Sequence, residues 1–162
     1  MKALATILLV LAAASAHAQK ITGAEIVQYG ILKKMVSDGL VDAPNTLAGK
    51  SNNAIASQLV ESTTTVKTSI GTTFGMLVKL LGEPEGAIVT SHFRCRHPEL
   101  TDPVSGHTGE IDEWESPRPI GVPRYASYTF DHDWELVPGK WTIQVLFGGK
   151  VLAEKTFDVV TR

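Results

Sequence analysis

The residues best suited to chemistry are four acidic side chains in one short stretch, Glu110, Asp112, Glu113 and Glu115. Paired carboxylates hydrolyse glycosides when one donates a proton and the other acts as nucleophile or base. Charged side chains are mostly solvated, so a loop or edge strand in water accounts for the same residues more simply. Neither a G-x-S-x-G nucleophile motif nor a Gly-rich phosphate loop is present. We therefore assign no catalytic and no cofactor-binding residue, and an enzyme is the less favoured class.

Four histidines lie beyond the N-terminal segment: His92, His97, His107 and His132. Zinc sites gather three or four ligands, often at short fixed spacings, and no pair here has such a spacing. We therefore predict no metal site. His97 precedes a proline and is expected to end a strand. His97 and His107 are kept as possible contacts to a ligand or partner.

The aromatic residues invite a sugar-binding interpretation, which needs two or three rings exposed on one surface. Trp134 and Trp141 alternate in phase with apolar neighbours, so both are predicted to be core anchors. Trp114 and Tyr125 are not fixed by such a pattern. They are the candidates for exposure and for contact with a glycan or protein partner.

Cys95 lies between Arg94 and Arg96, and flanking cations lower the pKa of a thiol and make it reactive. Strand alternation, however, places Cys95 on the same face as Phe93. A free cysteine in that setting behaves as a small buried hydrophobe. An exposed thiol would be able to form an intermolecular disulfide. The sequence therefore leaves open whether Cys95 is buried or reactive.

The N-terminus has the three parts of a secretory signal peptide over residues 1–18. Lys2 gives the cationic start, residues 3–14 are mostly apolar, and Ala16 and Ala18 form an A-x-A cleavage site. The alternative is a membrane anchor, but this apolar run is shorter than the roughly 20 residues needed to span a bilayer. We predict a periplasmic or secreted protein whose mature form has no membrane span.

The remainder, 19–162, suits one domain with a core that needs neither disulfide nor metal. The formal net charge of the chain is −2, and no Lys/Arg-rich run occurs. This composition excludes nucleic acid as an expected partner and argues against electrostatic attachment to a membrane.

Short strands separated by turn residues predict an all-β sandwich or barrel. The predicted strands cover 24–34, 58–70, 73–81 and 87–97, then three strands within 125–160 joined at Pro138-Gly139 and Gly148-Gly149. Residues 37–57 are rich in turn formers and are interpreted as a connection, with a short helix possible at its end and its order left open. Residues 98–124, rich in Pro and Gly, are interpreted as loop around a strand near 109–115.

One C-terminal pattern resembles a family of uncharacterised secreted bacterial proteins, a domain of unknown function. The pattern comprises Phe130, Asp131, Trp134, Glu135, Leu136, Val137, Pro138, Gly139 and Trp141, and further matches are Phe74-Gly75, His97-Pro98, Pro103 and Gly106. The resemblance covers roughly 58–160 and misses the first strand and its loop. It implies an immunoglobulin-like sandwich and brings no activity or catalytic residue.

We therefore predict an immunoglobulin-like antiparallel β-sandwich of about seven strands. The leading functional hypothesis is a non-enzymatic binding module that acts by protein contact through 98–124 or an edge strand. The alternative is a carbohydrate or cell-wall binding module that uses Trp114 and Tyr125, and a hydrolase is less favoured. Coplanar exposed rings would favour a sugar ligand. A cleft with converging His or carboxylate side chains would favour an enzyme, and an unpaired edge strand would favour a protein partner.

Overall fold

The computed structural model describes residues 19–161, which form two β-sheets. The strands are β1 (Lys20–Asp42), β2 (Lys50–Glu61), β3 (Thr65–Lys67), β4 (Thr73–Glu83), β5 (Ile88–Thr101), β6 (Thr108–Pro119), β7 (Arg124–Thr129), β8 (Gly139–Phe147) and β9 (Lys150–Val160). One sheet has the order β2-β1-β4-β7 and the other β3-β9-β8-β5-β6. The all-β prediction is confirmed, with nine strands in the described residues instead of about seven. The predicted signal peptide, residues 1–18, lies outside the described residues.

The strands pack face to face because apolar residues alternate along them with period two. In β5, Val89, Phe93 and Cys95 are buried while their neighbours are exposed or half-buried. In β8, Trp141 and Ile143 face the same interior. All described strand pairs are antiparallel except β3 with β9, which is parallel.

Four fully buried aromatic rings form the centre of the core: Phe74, Phe130, Trp141 and Phe157. The Phe74 ring centroid lies 5.2 Å from Phe157 and 5.3 Å from Phe130, and Phe130 meets Trp141 edge-on at 5.3 Å. Such tilted and edge-on pairs add about 0.5–1.5 kcal/mol each beyond the area they bury. The prediction that Trp141 anchors the core is confirmed.

The predicted connection over 37–57 is wrong. β1 continues to Asp42, residues 43–49 form a turn, and β2 returns antiparallel to β1. The ladder between the two strands shifts register four times, and such bulges accept residues that a regular strand disfavours. The Gly, Asn and Ser clusters therefore belong to an irregular ribbon and its turn, and no helix is described at its end.

The predicted loop over 98–124 is also mostly strand. β5 runs through Pro98 to Thr101, and β6 extends for 12 residues instead of about six. The pairing of β5 with β6 shifts register beside Pro98, and β6 is an edge strand that contains Pro117 and ends at Pro119. Both settings tolerate proline because no ladder hydrogen bond from its nitrogen is needed there.

Two further boundaries differ from the prediction. The strand expected over 58–70 is two strands, since β2 ends at Glu61 and β3 begins at Thr65. The strand expected to carry Trp134 ends at Thr129, and Trp134 lies in the short 3-10 helix Asp133–Glu135, half-buried against the core. Within residues 19–161, none of the helices is long and apolar enough to cross a membrane.

Candidate functional site: the arm and the polar cluster beneath it

The most distinctive part of the fold is an arm, which we define as residues 33–60. β1 pairs with β4 only as far as Leu32 opposite Thr73, and beyond that point it pairs with β2 alone. At the base of the arm, Gly30 has φ +146°, and a Cβ there would lie 1.9 Å from the carbonyl oxygen of Glu61. Only glycine permits this approach, so the sequence fixes where the arm leaves the sheet.

The tip of the arm is bound to β6 of the opposite sheet. The backbone N–H of Leu47 donates to Asp112 Oδ1 across 2.7 Å. The backbone N–H of Glu113 donates to the carbonyl oxygen of Asn45 across 3.0 Å. The Leu47 side chain also packs over Gly109, where a Cβ would lie 3.3 Å from Leu47 Cδ2. The arm therefore bridges the two sheets on the side where β6 and β7 are edge strands.

Beneath the arm, the Tyr128 hydroxyl joins two buried carboxylates. It lies 2.8 Å from Glu135 Oε1 and 3.2 Å from Asp112 Oδ2. Glu135 Oε2 accepts the backbone N–H groups of Asp131 at 2.6 Å and His132 at 2.7 Å. Asp112 is 2% and Glu135 4% exposed. We call Asp112, Tyr128, Glu135 and His97 the polar cluster.

His97 completes the polar cluster from β5, and its side chain is fully buried. Its Nδ1 lies 2.8 Å from the Pro98 carbonyl oxygen, which can only accept, so Nδ1 carries a hydrogen. Nε2 lies 3.6 Å from Asp112 Oδ2 and has no hydrogen-bond partner. Among the described hydrogen bonds, the Tyr128 hydroxyl is the side-chain donor that the two carboxylates share.

The electrostatics agree with a hydroxyl that two carboxylates share. Burial raises the pKa of Glu135, against the opposing hydrogen bonds from Tyr128 and the backbone. Burial, and then the neighbouring Asp112 and Glu135, hold the pKa of Tyr128 well above its ordinary value. The hydroxyl therefore keeps its single hydrogen, which cannot serve both carboxylates fully. A proton on Glu135 Oε1 would donate to Tyr128 and free its hydroxyl to donate to Asp112.

A small cleft separates the arm from the polar cluster. The arm contributes Lys34, Thr46, Lys50 and Ser51 to its walls. Burial lowers the pKa of Lys34, an effect that Asp131 and Glu135 partly oppose. The cleft volume is about 60 Å³, which is room for about two water molecules. This volume is well below the roughly 300–1,000 Å³ of usual ligand pockets, and Asp112 of the cluster bonds the tip of the arm.

The structure separates the two aromatic candidates. Trp114 lies on β6 of the five-stranded sheet, half-buried and stacked on Phe93 with ring centroids 5.7 Å apart and planes at 17°. Tyr125 lies on β7 of the four-stranded sheet, where its hydroxyl accepts a hydrogen bond from Gln28. The two rings therefore lie on different sheets and do not form one platform.

The two histidine candidates are also apart. His97 belongs to the polar cluster, while His107 is exposed in the turn between β5 and β6. Its carbonyl oxygen accepts the backbone N–H of Asp102 across 2.9 Å. Among the described residues, no three His, Cys, Asp or Glu side chains are grouped as a metal site requires.

Alternation along β6 divides the acidic stretch between two faces. Asp112 points inward and is buried, whereas Glu113 and Glu115 are exposed. Glu113 Oε1 lies 2.6 Å from Arg94 Nε, and Glu115 Oε1 lies 3.0 Å from His92 Nδ1. The acidic stretch therefore contains one member of the polar cluster, Asp112, which the sequence interpretation assigned to a solvated group.

Cys95 is buried within the core. Burial, followed by the nearby charges of Asp112 and Glu135, raises the pKa of its thiol well above the ordinary value. The interpretation of Cys95 as a small buried hydrophobe is thus the one the structure favours. Sequence reasoning did not single out Tyr128, Glu135 or Lys34, although Glu135 stands in the C-terminal pattern, a signal that was available.

The side of β2 turned away from β1, which we call the β2 edge, is the second distinctive surface. β2 ends the four-stranded sheet, and no described strand pairs with its outer side. Its residues 51–60, SNNAIASQLV, contain no charge and no proline. Proteins usually guard long edge strands with lysines, prolines, β-bulges or a covering segment, and of these the β2 edge has the bulges. Val60 is 65% exposed at the base of this edge.

Comparisons with known proteins place the fold but bring no activity. The family described as a domain of unknown function, DUF3859, matches residues 21–159. A crystal structure of an immunoglobulin-like protein from Pseudomonas aeruginosa is 26% identical, with a TM-score of 0.61 over 85% of this chain and 96% of that one. Comparison with curated proteins gives no match. The prediction of an immunoglobulin-like fold is confirmed. The family match, which the sequence analysis placed at roughly 58–160, begins at residue 21 and so includes β1 and the arm.

Proposed function

Since this chain belongs to the DUF3859 family, a domain of unknown function, we propose from the structure that it is a non-enzymatic binding module. It acts in the periplasm or outside the cell, and its partner is a protein. The partner donates an extended segment that adds to the four-stranded sheet along the β2 edge, a recognition mode in which backbone hydrogen bonds supply affinity.

The observation that carries this proposal is the uncharged, proline-free and unpaired β2 edge. An edge strand presents a row of backbone N–H and C=O groups that are available for pairing. Here that row runs along ten consecutive residues, 51–60, without charge or proline. Val60 at one end is exposed and apolar. An unpaired edge strand of this length and composition can accept an extended strand from a partner.

The polar cluster supports the non-enzymatic part of the proposal. Its two carboxylates are buried and converge on Tyr128. Asp112 also bonds the backbone of the arm, and Glu135 bonds the backbone of residues 131–132. The cleft that they face measures about 60 Å³. A substrate of ordinary size requires several times that volume. The cluster therefore supports the arm, and through the arm the β2 edge.

A matched pair of variants tests the role of the edge. Val60→Lys places a charge on the β2 edge, and Val104→Lys places the same charge on the β5–β6 turn, where Val104 is 94% exposed. Immobilised wild type and both variants are incubated with envelope extract. A synthetic extended peptide from any captured protein is then titrated against all three by calorimetry.

We expect wild type and Val104→Lys to bind the peptide and Val60→Lys to bind at least about tenfold more weakly, since lysine guards edges. Equal binding by all three chains, or no partner for any of them, sinks the proposal. Cell fractionation of the full chain tests the compartment separately, and recovery in the cytoplasm alone contradicts it.

A glycan ligand is the second candidate, favoured by a groove of about 240 Å³ beside β6. The groove is lined by Trp114 and by polar side chains of both ion pairs, including Arg94, Glu113 and His92. Trp114→Leu keeps an apolar contact to Phe93 but removes the ring. Retention on peptidoglycan that is unchanged by this substitution eliminates the site.

A further inference from the structure

Arg118 carries a positive charge that no acidic side chain of the described residues pairs with. It lies on β6 and is half-buried. Its guanidinium carbon lies 4.5 Å from the centroid of the buried Phe93 ring. One terminal nitrogen, Nη2, donates to the carbonyl oxygen of Tyr125 on β7. Since β6 and β7 are the edge strands of different sheets, this side chain spans the side of the sandwich.

The guanidinium has more capacity to donate and more charge than its surroundings use. It has five N–H groups, and one hydrogen bond is described for it. Its Nε is enclosed and has no hydrogen-bond partner. Burial, followed by the like charge of Arg124, lowers the pKa of Arg118 to about 10. Both causes disfavour the charged form, and a carboxylate bound at the guanidinium offsets them.

The β6–β7 connection, residues 120–123, places the second arginine beside the first. Arg124 begins β7 and is exposed. Glu85 packs against Gly121 of the connection, yet neither Glu85 nor any other described carboxylate forms an ion pair with either arginine. Val122 lies between the arginines in sequence and is 37% exposed. Arginine beside apolar side chains is typical of protein interfaces, whereas nucleic acid requires a larger group of cations.

We propose that the β6–β7 connection is a protein-binding surface, at which Arg118 and Arg124 together receive the carboxylate of an aspartate or glutamate side chain of the partner. The carboxylate meets Arg118 at its terminal nitrogens, because Nε is enclosed. Phe93 and Tyr125 already hold the guanidinium in place, so binding orders little that was free. β7 and β2 are opposite edges of the four-stranded sheet. This surface is therefore separate from the β2 edge and does not rest on the proposed function.

NMR titration tests the site with a probe of known composition, the peptide N-acetyl-Gly-Glu-Gly-amide, and with its Gln counterpart. The Nε–Hε signals of Arg118 and Arg96 are followed in the wild-type protein. Arg96 is exposed on β5 and no ion pair is described for it, so it reports the affinity of an ordinary arginine. We expect a saturable shift at Arg118 with a dissociation constant at least about tenfold lower than at Arg96, because charge-assisted bonds to a desolvated guanidinium are stronger. The Gln peptide should leave Arg118 unshifted.

Arg124→Gln removes the second charge and keeps the contacts of Arg118 with Phe93 and Tyr125. It should weaken binding of the Glu peptide at Arg118 about threefold, and circular dichroism verifies its fold. Equal affinity at Arg118 and Arg96, an equal response to the Gln peptide, or unchanged binding in Arg124→Gln overturns the site and leaves Arg118 with a structural role alone. A preference for inorganic phosphate over the Glu peptide that is larger at Arg118 than at Arg96 overturns the carboxylate assignment.

The β2 edge is controlled with the variant that already tests it. Val60→Lys should bind the Glu peptide as the wild type does, because Val60 lies at the opposite edge of the sheet. Peptide binding that Val60→Lys abolishes assigns the contact to the β2 edge and overturns the surface proposed at Arg118. Failure of the arginine site in all these titrations leaves the proposed function untouched, since that function depends on the β2 edge alone.

Discussion

The backbone N–H of Leu47 and the carboxylate of Asp112 lie 2.7 Å apart across 65 positions of sequence. The same carboxylate accepts from the Tyr128 hydroxyl through its other oxygen. One buried side chain thus holds both the tip of the arm and the centre of the polar cluster. A change in the cluster is therefore transmitted to the arm through Asp112.

Asp112→Ala should lower the free energy of unfolding by about 1–3 kcal/mol, because it leaves the Leu47 N–H without its acceptor and Tyr128 with one partner fewer. Amides in the turn 43–49 should exchange faster with deuterium, since the tip loses its bond to β6. Denaturant titration and hydrogen exchange measure the two effects. Glu113→Ala is the matched control, one residue away and exposed, with an expected cost of at most about 1 kcal/mol. Equal losses for the two variants contradict the anchoring role.

Tyr128→Phe should cost about 1–3 kcal/mol at neutral pH, because it removes the donor that two buried carboxylates share. The ring packing against Trp141, with centroids 5.0 Å apart, is retained. Tyr125→Phe removes a hydroxyl that accepts one bond from Gln28 in a half-buried site, and its cost should be about 1 kcal/mol or less. Urea denaturation of both variants gives the comparison, and a larger loss for Tyr125→Phe would be inconsistent with a cluster centred on Tyr128.

Glu135→Gln should change how stability depends on pH. Burial raises the pKa of Glu135 in the folded state above its ordinary value of 4.5. A raised carboxyl pKa stabilises the folded state at pH values below the unfolded pKa, and this contribution is lost as pH rises through the folded pKa. Glutamine imitates the protonated form at every pH. The free energy of unfolding of wild type minus that of Glu135→Gln should therefore fall as pH rises from about 4.5 towards neutrality.

Urea titrations of the two proteins at matched pH values measure that difference. A difference that rises with pH over the same range would show that the carboxylate is favoured in the folded state, contrary to the burial argument. Asp133→Asn serves as the control, because Asp133 is exposed in the same short helix.

Trp141→Ala should cost about 3–5 kcal/mol, as expected for a fully buried aromatic residue. Its ring meets Phe74 and Phe130, and its indole N–H donates to the Val137 carbonyl across 3.0 Å. Trp134→Ala should cost less, since that ring is half-buried and stacks on the exposed His132. Thermal and denaturant unfolding provide the values. If Trp134→Ala costs as much free energy of unfolding as Trp141→Ala, Trp134 is a core residue, as the strand alternation predicted.

Sequence alternation predicted the core well because period two follows directly from strand geometry. Cys95 with Phe93, and Trp141 with Ile143, lie inward as their pattern required. Alternation failed at Trp134 because the strand ends at Thr129 and Trp134 lies in the short helix that follows. It failed in the arm because bulges break the period there.

The sequence did not predict the polar cluster, for a different reason. Asp112 and Tyr128 are 16 positions apart, and His97 approaches them from another strand. Their meeting depends on how the edges of two sheets come together, which no spacing along the chain encodes. The acidic stretch is evident in the sequence, but the sequence does not show that Asp112 is buried while the other three carboxylates are exposed.

The parallel pairing of β3 with β9 joins Thr65–Lys67 to residues 158–160. β9, the last of the described strands, therefore lies inside its sheet, between β3 and β8. During folding, β3 has no neighbour among the described strands until β9 is available, whereas the β1–β2 and β8–β9 ribbons can form from adjacent segments. Since non-local pairings of this kind slow folding, closing this sheet should be a late event in the maturation of the protein.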